Sequence, residues 1–137
     1  MSGDFDVEIE ITAPVQQTEV EDRVAAAIES IFPDAEPERR HGELTATVDG
    51  MAHFSQLLHR QAILDTARSV FFENRRGDRF SFSIRKGPAL QGVVNFPAED
   101  PSELGDIAVS VVVREPDVEA YIDHVAPPTE AGEPVDV

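Results

Sequence analysis

The chain predicts an α+β fold, a two-layer sandwich in which helices cover one face of a mostly antiparallel sheet. Three observations carry that expectation. Two stretches alternate apolar and polar residues with a period of two: Phe5, Val7, Ile9 and Ile11 against Asp6, Glu8, Glu10 and Thr12, and Phe80, Phe82 and Ile84 against Arg79, Ser81, Ser83 and Arg85. The runs from Val20 to Ile31 and from Met51 to Phe72 instead repeat apolar residues at helical spacing. Read end to end, the elements follow the order β-α-β-β-α-β-β-β-α.

The first strand is the Phe5 to Ile11 alternation. Thr18 with Glu21 three residues later forms a capping-box pattern ahead of Val20, Val24, Ala27, Ile28 and Ile31, and Pro33 stops that helix after Phe32. An extended segment from Ala35 to Arg40, a turn at His41 and Gly42, and a strand pointing Leu44, Ala46 and Val48 inward come next. From Met51 to Phe72 no Gly or Pro interrupts the chain, which predicts one long helix covered on more than one side. Arg75 to Asp78 make a turn into the Phe80 strand, and Gly87-Pro88 breaks that strand. Gln91 to Phe96 reads as a further strand, Pro97 to Gly105 as an acidic loop, and Ile107, Val109, Val111 and Val113 as the inward face of a last strand. Pro116 suits the first turn of a short closing helix to Val125. Residues 1–126 thus form a single domain, and 127–137 a Pro-rich acidic tail without periodicity.

The 137 residues suffice for a real core without a staple. With no cysteine, disulfides and thiolate chemistry are excluded and a reducing, cytoplasmic setting is expected. No basic and apolar leader opens the sequence and no apolar run approaches the roughly 20 residues that cross a bilayer, so a soluble protein without membrane contact is expected.

The net charge is −16, carried with ten arginines but one lysine, the balance of a halophilic protein whose self-repulsion concentrated salt screens. The charge is unevenly spread. Seven of the eleven cations lie between Arg60 and Lys86, where few acids occur. A cationic island inside an acidic chain points to a surface that meets an anion.

On one continuous helix, Arg60, Arg68 and Arg75 fall within about 80° of each other, a spacing that bridges successive phosphates through bidentate guanidiniums. The plainer reading pairs Arg68 with Asp65 and Arg60 with an acid of another element. Arg79, Ser81, Ser83 and Arg85 share one strand face over which a sugar-phosphate backbone can lie, or whose arginines pair across strands with Asp6, Glu8 or Glu10. Phe80 and Phe82 belong to the core by alternation rather than to a base-stacking platform. Lys86 at the Gly-Pro corner is read either as a binding loop or as a simple turn; the glycine spacing of a phosphate-binding loop is absent.

Enzyme signals are weak. His41, His53, His59 and His124 have no metal-ligand spacing, and Asp65 has neither a second acid nor a nucleophile at a diagnostic distance. No cofactor and no metal is expected.

Several segments together resemble an archaeal family of uncharacterised small proteins described as RNA-binding or exosome-associated. They are Ile11 to Glu19, Ile31 to Ala35, Gly42 to Leu44, Lys86 to Phe96, Ala126 to Val135 and, most specifically, Leu57 to Ser69 (LLHRQAILDTARS). The resemblance implies a fold like that of the large-subunit ribosomal protein that binds 5S RNA, and a non-enzymatic RNA-binding role. It departs at Arg85-Lys86-Gly87, where the family pattern has Asn-Lys-Gln. The expectation is therefore a protein that holds structured RNA, ribosomal or processing substrates, through Arg60, Gln61, Arg68, Arg75, Arg76, Arg79, Ser81, Ser83, Arg85 and Lys86. Two rivals stand beside it: a protein-interaction subunit with no direct RNA contact, and a small-molecule binder or enzyme using His53, His59 or Asp65.

Overall fold

The structure, a computed structural model, describes residues 5–97, 105–130 and 133–134. Its elements run β1 (Asp6–Pro14), α1 (Glu21–Ile31), β2 (Glu38–Arg40), β3 (Glu43–Val48), α2 (Ala52–Gln61), α3 (Leu64–Glu73), β4 (Arg79–Ile84), α4 (Lys86–Leu90), β5 (Ile107–Glu115), α5 (Val118–Val125), β6 (Thr129–Glu130) and β7 (Glu133–Pro134). The first five strands make one antiparallel sheet in the order β2-β3-β1-β5-β4, and β6 pairs with β7. The α+β class is as the alternation indicates.

Alternation sorts the two faces of the sheet. Val7, Ile9, Ile11 and Ala13 of β1, with Val109, Val111 and Val113 of β5, point into the core, as do Phe80, Phe82 and Ile84 of β4. Val24, Ala27, Ile28 and Ile31 of α1, Phe54, Leu57 and Leu58 of α2, Leu64, Ala67 and Phe71 of α3, and Tyr121 and Ile122 of α5 cover that face. Burial of each large apolar side chain contributes roughly 1.5–3 kcal/mol. Phe71 is central: its ring meets those of Phe54, Phe80, Phe82 and Phe96 at centroid separations of 4.8 to 6.4 Å. Phe80 and Phe82 are thus core residues and not base platforms.

Five expectations are corrected. The long helix is two helices, because Ala62 takes a left-handed conformation at φ 58 and closes α2. The Ala62 amide donates to His59 O and the Ile63 amide to Leu58 O, the paired bonds of a Schellman ending, here without the usual glycine. The Thr18–Glu21 capping box does not form. Val20 occupies the N-cap with no side-chain bond, while Glu19 accepts from the Gln16 amide and pulls the preceding residues into a turn. Gln91 to Phe96 is not a strand, and the Lys86-Gly87-Pro88 corner is the start of α4 rather than a turn. Pro116 precedes α5 instead of opening it; the N-cap is Asp117, whose carboxylate accepts from the Ala120 amide.

The expected loop from Pro97 to Gly105 lies mainly outside the described residues, as does part of the 127–137 tail. Where the chain re-emerges, Gly105 at φ 80 passes so close to β1 that a Cβ there would stand 2.5 Å from Pro14 Cγ.

Candidate functional site

The opposite face of the sheet is polar and open. Its outward residues are Glu38 and Arg40 on β2, Glu43, Thr45 and Thr47 on β3, Glu8, Glu10 and Thr12 on β1, Ala108, Ser110, Val112 and Arg114 on β5, and Arg79, Ser81 and Ser83 on β4. The ladder puts them in rows. Ser81, Ser110, Glu10 and Thr47 form one row, and Ser83, Ala108, Thr12 and Thr45 the next. Arg85 keeps extended backbone (φ −77, ψ 138), so it continues the outward alternation beyond Ser83. Glu43, opposite Pro14, ends the same side of the face on β3. Short side chains therefore floor the middle of the sheet, with arginines on β4, Arg114 of β5 beside Glu8 of β1, and Arg40 of β2 opposite Glu43 of β3.

The expected cationic surface is divided by this topology. The break at Ala62 separates Arg60 from the helix that carries Arg68 and Arg75, so the three do not share one helical side. Arg68 and Arg75 do share a side of α3, seven residues apart, but that side faces α5. Arg68 Nη1 bonds Asp123 Oδ1 at 2.6 Å and Ala126 O at 3.1 Å, and its guanidinium sits 5.0 Å from the Phe72 ring centroid. Arg75 Nη1 bonds Glu119 Oε1 at 2.8 Å. Both arginines fasten α3 to α5. Neither pairs with Asp65, which instead accepts from Thr129 Oγ1 of the tail.

Lys86 is buried beside α1 and bonds Pro14 O and Glu19 Oε1, the latter at 2.8 Å. These internal contacts compete with the phosphate-holding role expected of it, although Lys86 also lines a depression of about 280 Å³ with Arg23 and Leu90. Gln61 is likewise occupied: its amide donates to Val94 O at 3.0 Å and accepts from the Val94 amide at 2.8 Å, holding the segment after α4. Arg79 Nε stands 3.5 Å from Asp78. Arg60 and Arg85 have no carboxylate partner among the described residues, and Arg76 bonds only the carbonyl of Arg75 there.

One arrangement that sequence reasoning did not foresee lies at the turn. Arg76 and Arg79 exchange both backbone hydrogen bonds, at 2.8 and 3.2 Å, across Gly77 and Asp78. Residues so paired project to the same face, so two like charges oppose each other, which destabilises a hairpin unless an anion is near. Sequence reasoning also passed over Arg114, although the β5 alternation put it outward. Its guanidinium bonds Glu8 Oε1 at 2.7 Å, and that bond and the Glu8 charge raise its pKa above the ordinary value.

Two open depressions border the sheet. A depression of about 440 Å³ runs from Glu10, Ser81 and Ser110 around the β4 edge to Asn74 and Phe96. A broader groove of about 1180 Å³ is acidic, with Glu10, Glu29, Asp34, Glu36, Glu38 and Glu43 around Arg40 and His41. Among the described residues no group of three His, Asp or Glu side chains is placed to hold a metal ion. No helix there is long and apolar enough to cross a membrane.

Fold and face together define a small α+β protein with one helix-covered and one bare sheet face. The chain belongs to the UPF0201 family, which is the archaeal family anticipated from the LDTAR segment. It is 32% identical over 134 residues to a UPF0201 protein of Metallosphaera sedula, covering 93% of this chain and 92% of that one. It is 35% identical over 136 residues to one of Thermococcus kodakarensis, covering 94% and 96%. A relative from Archaeoglobus fulgidus called a UPF0200/UPF0201 protein is 37% identical over 130 residues; these are 94% of this chain but only 40% of the relative. No protein-family model matches. Among solved structures, a UPF0201 protein of Methanococcus jannaschii superposes with a TM-score of 0.86 at 32% identity, covering 94% of this chain and 99% of that one. A DUF54 protein of Archaeoglobus fulgidus, at 0.66 and 21% identity over 91% and 98%, shares the fold alone.

Proposed function

We propose that this chain is a non-catalytic interaction subunit that joins a protein assembly and does not itself grip RNA. One observation carries the reading. Of the seven cations expected to hold RNA, Arg68, Arg75, Arg79 and Lys86 each have a carboxylate within 4 Å, leaving Arg60, Arg76 and Arg85 without one among the described residues. A cation already matched to an internal acid offers a phosphate little beyond what it would have to give up. The joined UPF0200/UPF0201 name of the Archaeoglobus relative supports a protein partner, and the first candidate is a UPF0200 protein.

The test is co-purification of the tagged chain with the UPF0200 protein of the same cell, before and after nuclease. A complex that survives nuclease supports the reading. Loss of the complex on nuclease treatment, or no complex at all, removes it.

A second reading keeps RNA, and with it a link to processing or degradation machinery, on a smaller site. The opposed Arg76 and Arg79, followed along β4 by Ser81, Ser83 and Arg85, form a cationic strip, and Arg76 and Arg85 carry no carboxylate among the described residues. Filter binding with structured RNA decides it: Arg76→Ala with Arg79→Ala must weaken binding and flatten its salt dependence. Equal affinity of variant and parent ends this reading.

A further inference from the structure

Strand β4 ends the sheet, and part of its backbone edge is open. The Val113 amide donates to Asp78 O at 2.8 Å, which fixes the phase of the pairing between β4 and β5. Only every second couple of an antiparallel pair exchanges hydrogen bonds. Phe80, Phe82 and Ile84 therefore turn their amides and carbonyls toward β5, while Arg79, Ser81, Ser83 and Arg85 turn theirs away from the sheet. Both ends of that outer row are filled: Arg76 exchanges two bonds with Arg79, and the Arg85 amide donates to Asn95 O at 2.9 Å. Between them, the amides and carbonyls of Ser81 and Ser83 have no partner among the described residues. The two serines border the depression of about 440 Å³ that Val70, Asn74, Phe96 and Pro97 also line.

We infer that this edge binds an extended acidic segment of a protein partner, which adds to the sheet as a further strand beside Ser81 and Ser83. Main-chain bonds hold it: a residue opposite each serine exchanges a pair of hydrogen bonds with it. The antiparallel bridge of Arg76 to Arg79 already marks out the row and its direction. Side chains directly opposite share a face. The two residues facing the serines thus project on the side of Arg76, Arg79 and Arg85. The residue between them, opposite Phe82, projects to the helix-covered side, where the half-buried Val70 and Phe96 line the depression. The segment that fits reads acidic, apolar, acidic.

Charge favours the acids. Arg85 has no carboxylate partner among the described residues and Arg76 bonds only the Arg75 carbonyl there, whereas Arg79 is already shared with Asp78 at 3.5 Å. A residue opposite Ser81 stands about 7 Å along the row from Arg76, and one opposite Ser83 lies diagonal to Arg85 at about 7–8 Å, both within reach of a glutamate. Glu10, the outward acid in the Ser81 row, is three strand spacings from that position, about 14 Å and beyond the Debye length of physiological salt. A second copy suits the edge poorly. Antiparallel pairing of β4 with another β4 through these serines sets Arg79 opposite Arg85, and like charges there repel.

The inference deepens the assembly reading, on which it rests for the partner being a protein. The probe is a capped peptide, Thr-Glu-Val-Glu-Thr, titrated into isotope-labelled full chain and read from its backbone amide resonances. The Ser81 and Ser83 amides are expected to move downfield, with a millimolar Kd. The same peptide methylated on both glutamate nitrogens, and Thr-Lys-Val-Lys-Thr, are each expected to bind about tenfold more weakly or worse. Ser81→Pro removes one outward amide and leaves the ladder to β5 intact, so it should weaken the peptide equally, while Ser81→Ala keeps that amide and should bind like wild type. A peptide that leaves both amides unmoved, or a methylated peptide that binds as well as its parent, overturns the proposal whatever the fold of the proline variant. So do amides that move with chain concentration alone, which assigns the edge to a second copy, and amides moved by structured RNA but not by peptide, which assigns it to nucleic acid. Capture of the UPF0200 protein separates the two claims. A folded Ser81→Pro chain that captures it like wild type removes the edge site and spares the assembly reading; peptide binding without capture removes the assembly reading and spares the edge site.

Discussion

Lys86 Nζ lies 2.8 Å from Glu19 Oε1, and the two side chains are only 9% and 11% exposed. The chain's single lysine is thus the inner half of a buried ion pair that ties α4 to the turn before α1. Glu19 also accepts from the Gln16 amide and Lys86 also donates to Pro14 O, so the pair closes the end of β1 as well. A residue that reads in sequence as an exposed cation at a corner is a fastener between three segments.

Removing one partner strands the other. Lys86→Met leaves the Glu19 carboxylate buried without its counter-charge and is expected to destabilise by about 3–5 kcal/mol. Lys86→Met combined with Glu19→Leu removes both charges and should recover most of that loss, short by about 1 kcal/mol for each of the Pro14 carbonyl and Gln16 amide left behind. Chemical denaturation of the three proteins measures both steps. A double variant no more stable than Lys86→Met contradicts the pairing.

The ending of α2 gives a prediction of opposite sign. Ala62 holds φ 58, where an L-residue loses roughly 1–2 kcal/mol relative to glycine, while a glycine adds about 0.5–1 kcal/mol of unfolded-state entropy to be lost. Ala62→Gly is expected to raise the thermal midpoint by a few degrees. Ala62→Val, bulkier and β-branched in the same conformation, should lower it. A lower midpoint for the glycine variant speaks against the helix break.

Alkaline titration isolates Tyr121. Burial pushes its hydroxyl up to about 12 from 10.0; a hydrogen bond with the Met51 backbone works against the rise, and Asp49 adds to it. Here the folded chain holds the proton more tightly than the unfolded one. Its contribution to stability is complete below pH 10.0 and is lost as pH climbs toward 12, in total roughly 3 kcal/mol. Tyr121→Phe should flatten the fall in unfolding free energy over that window. An equally steep fall in the variant would place the sensitivity elsewhere.

Much of the architecture was readable from residue order. Strands β1, β3, β4 and β5 follow from period-two alternation, since a half-buried strand must turn every second side chain inward. The break between α2 and α3 was not readable. An alanine at the left-handed position carries no glycine signal, and the bend it makes leaves Leu58 before it and Leu64 after it both buried. The absent strand at Gln91 to Phe96 has a similar cause: Gln61 on α2 takes both backbone groups of Val94, so that segment answers to a helix and not to the sheet.

Periodicity set which side chains of each strand face water, and composition set that acids outnumber bases; both are local properties of neighbouring residues. Which acid neutralises which cation was settled by folding, because Arg68 and Asp123 are 55 residues apart, Arg75 and Glu119 44, and Lys86 and Glu19 67. Electrostatic pairing acts over a few ångströms of space whatever the separation along the chain. A cluster of cations in the sequence becomes a cationic surface only where the strand order and helix packing keep carboxylates away.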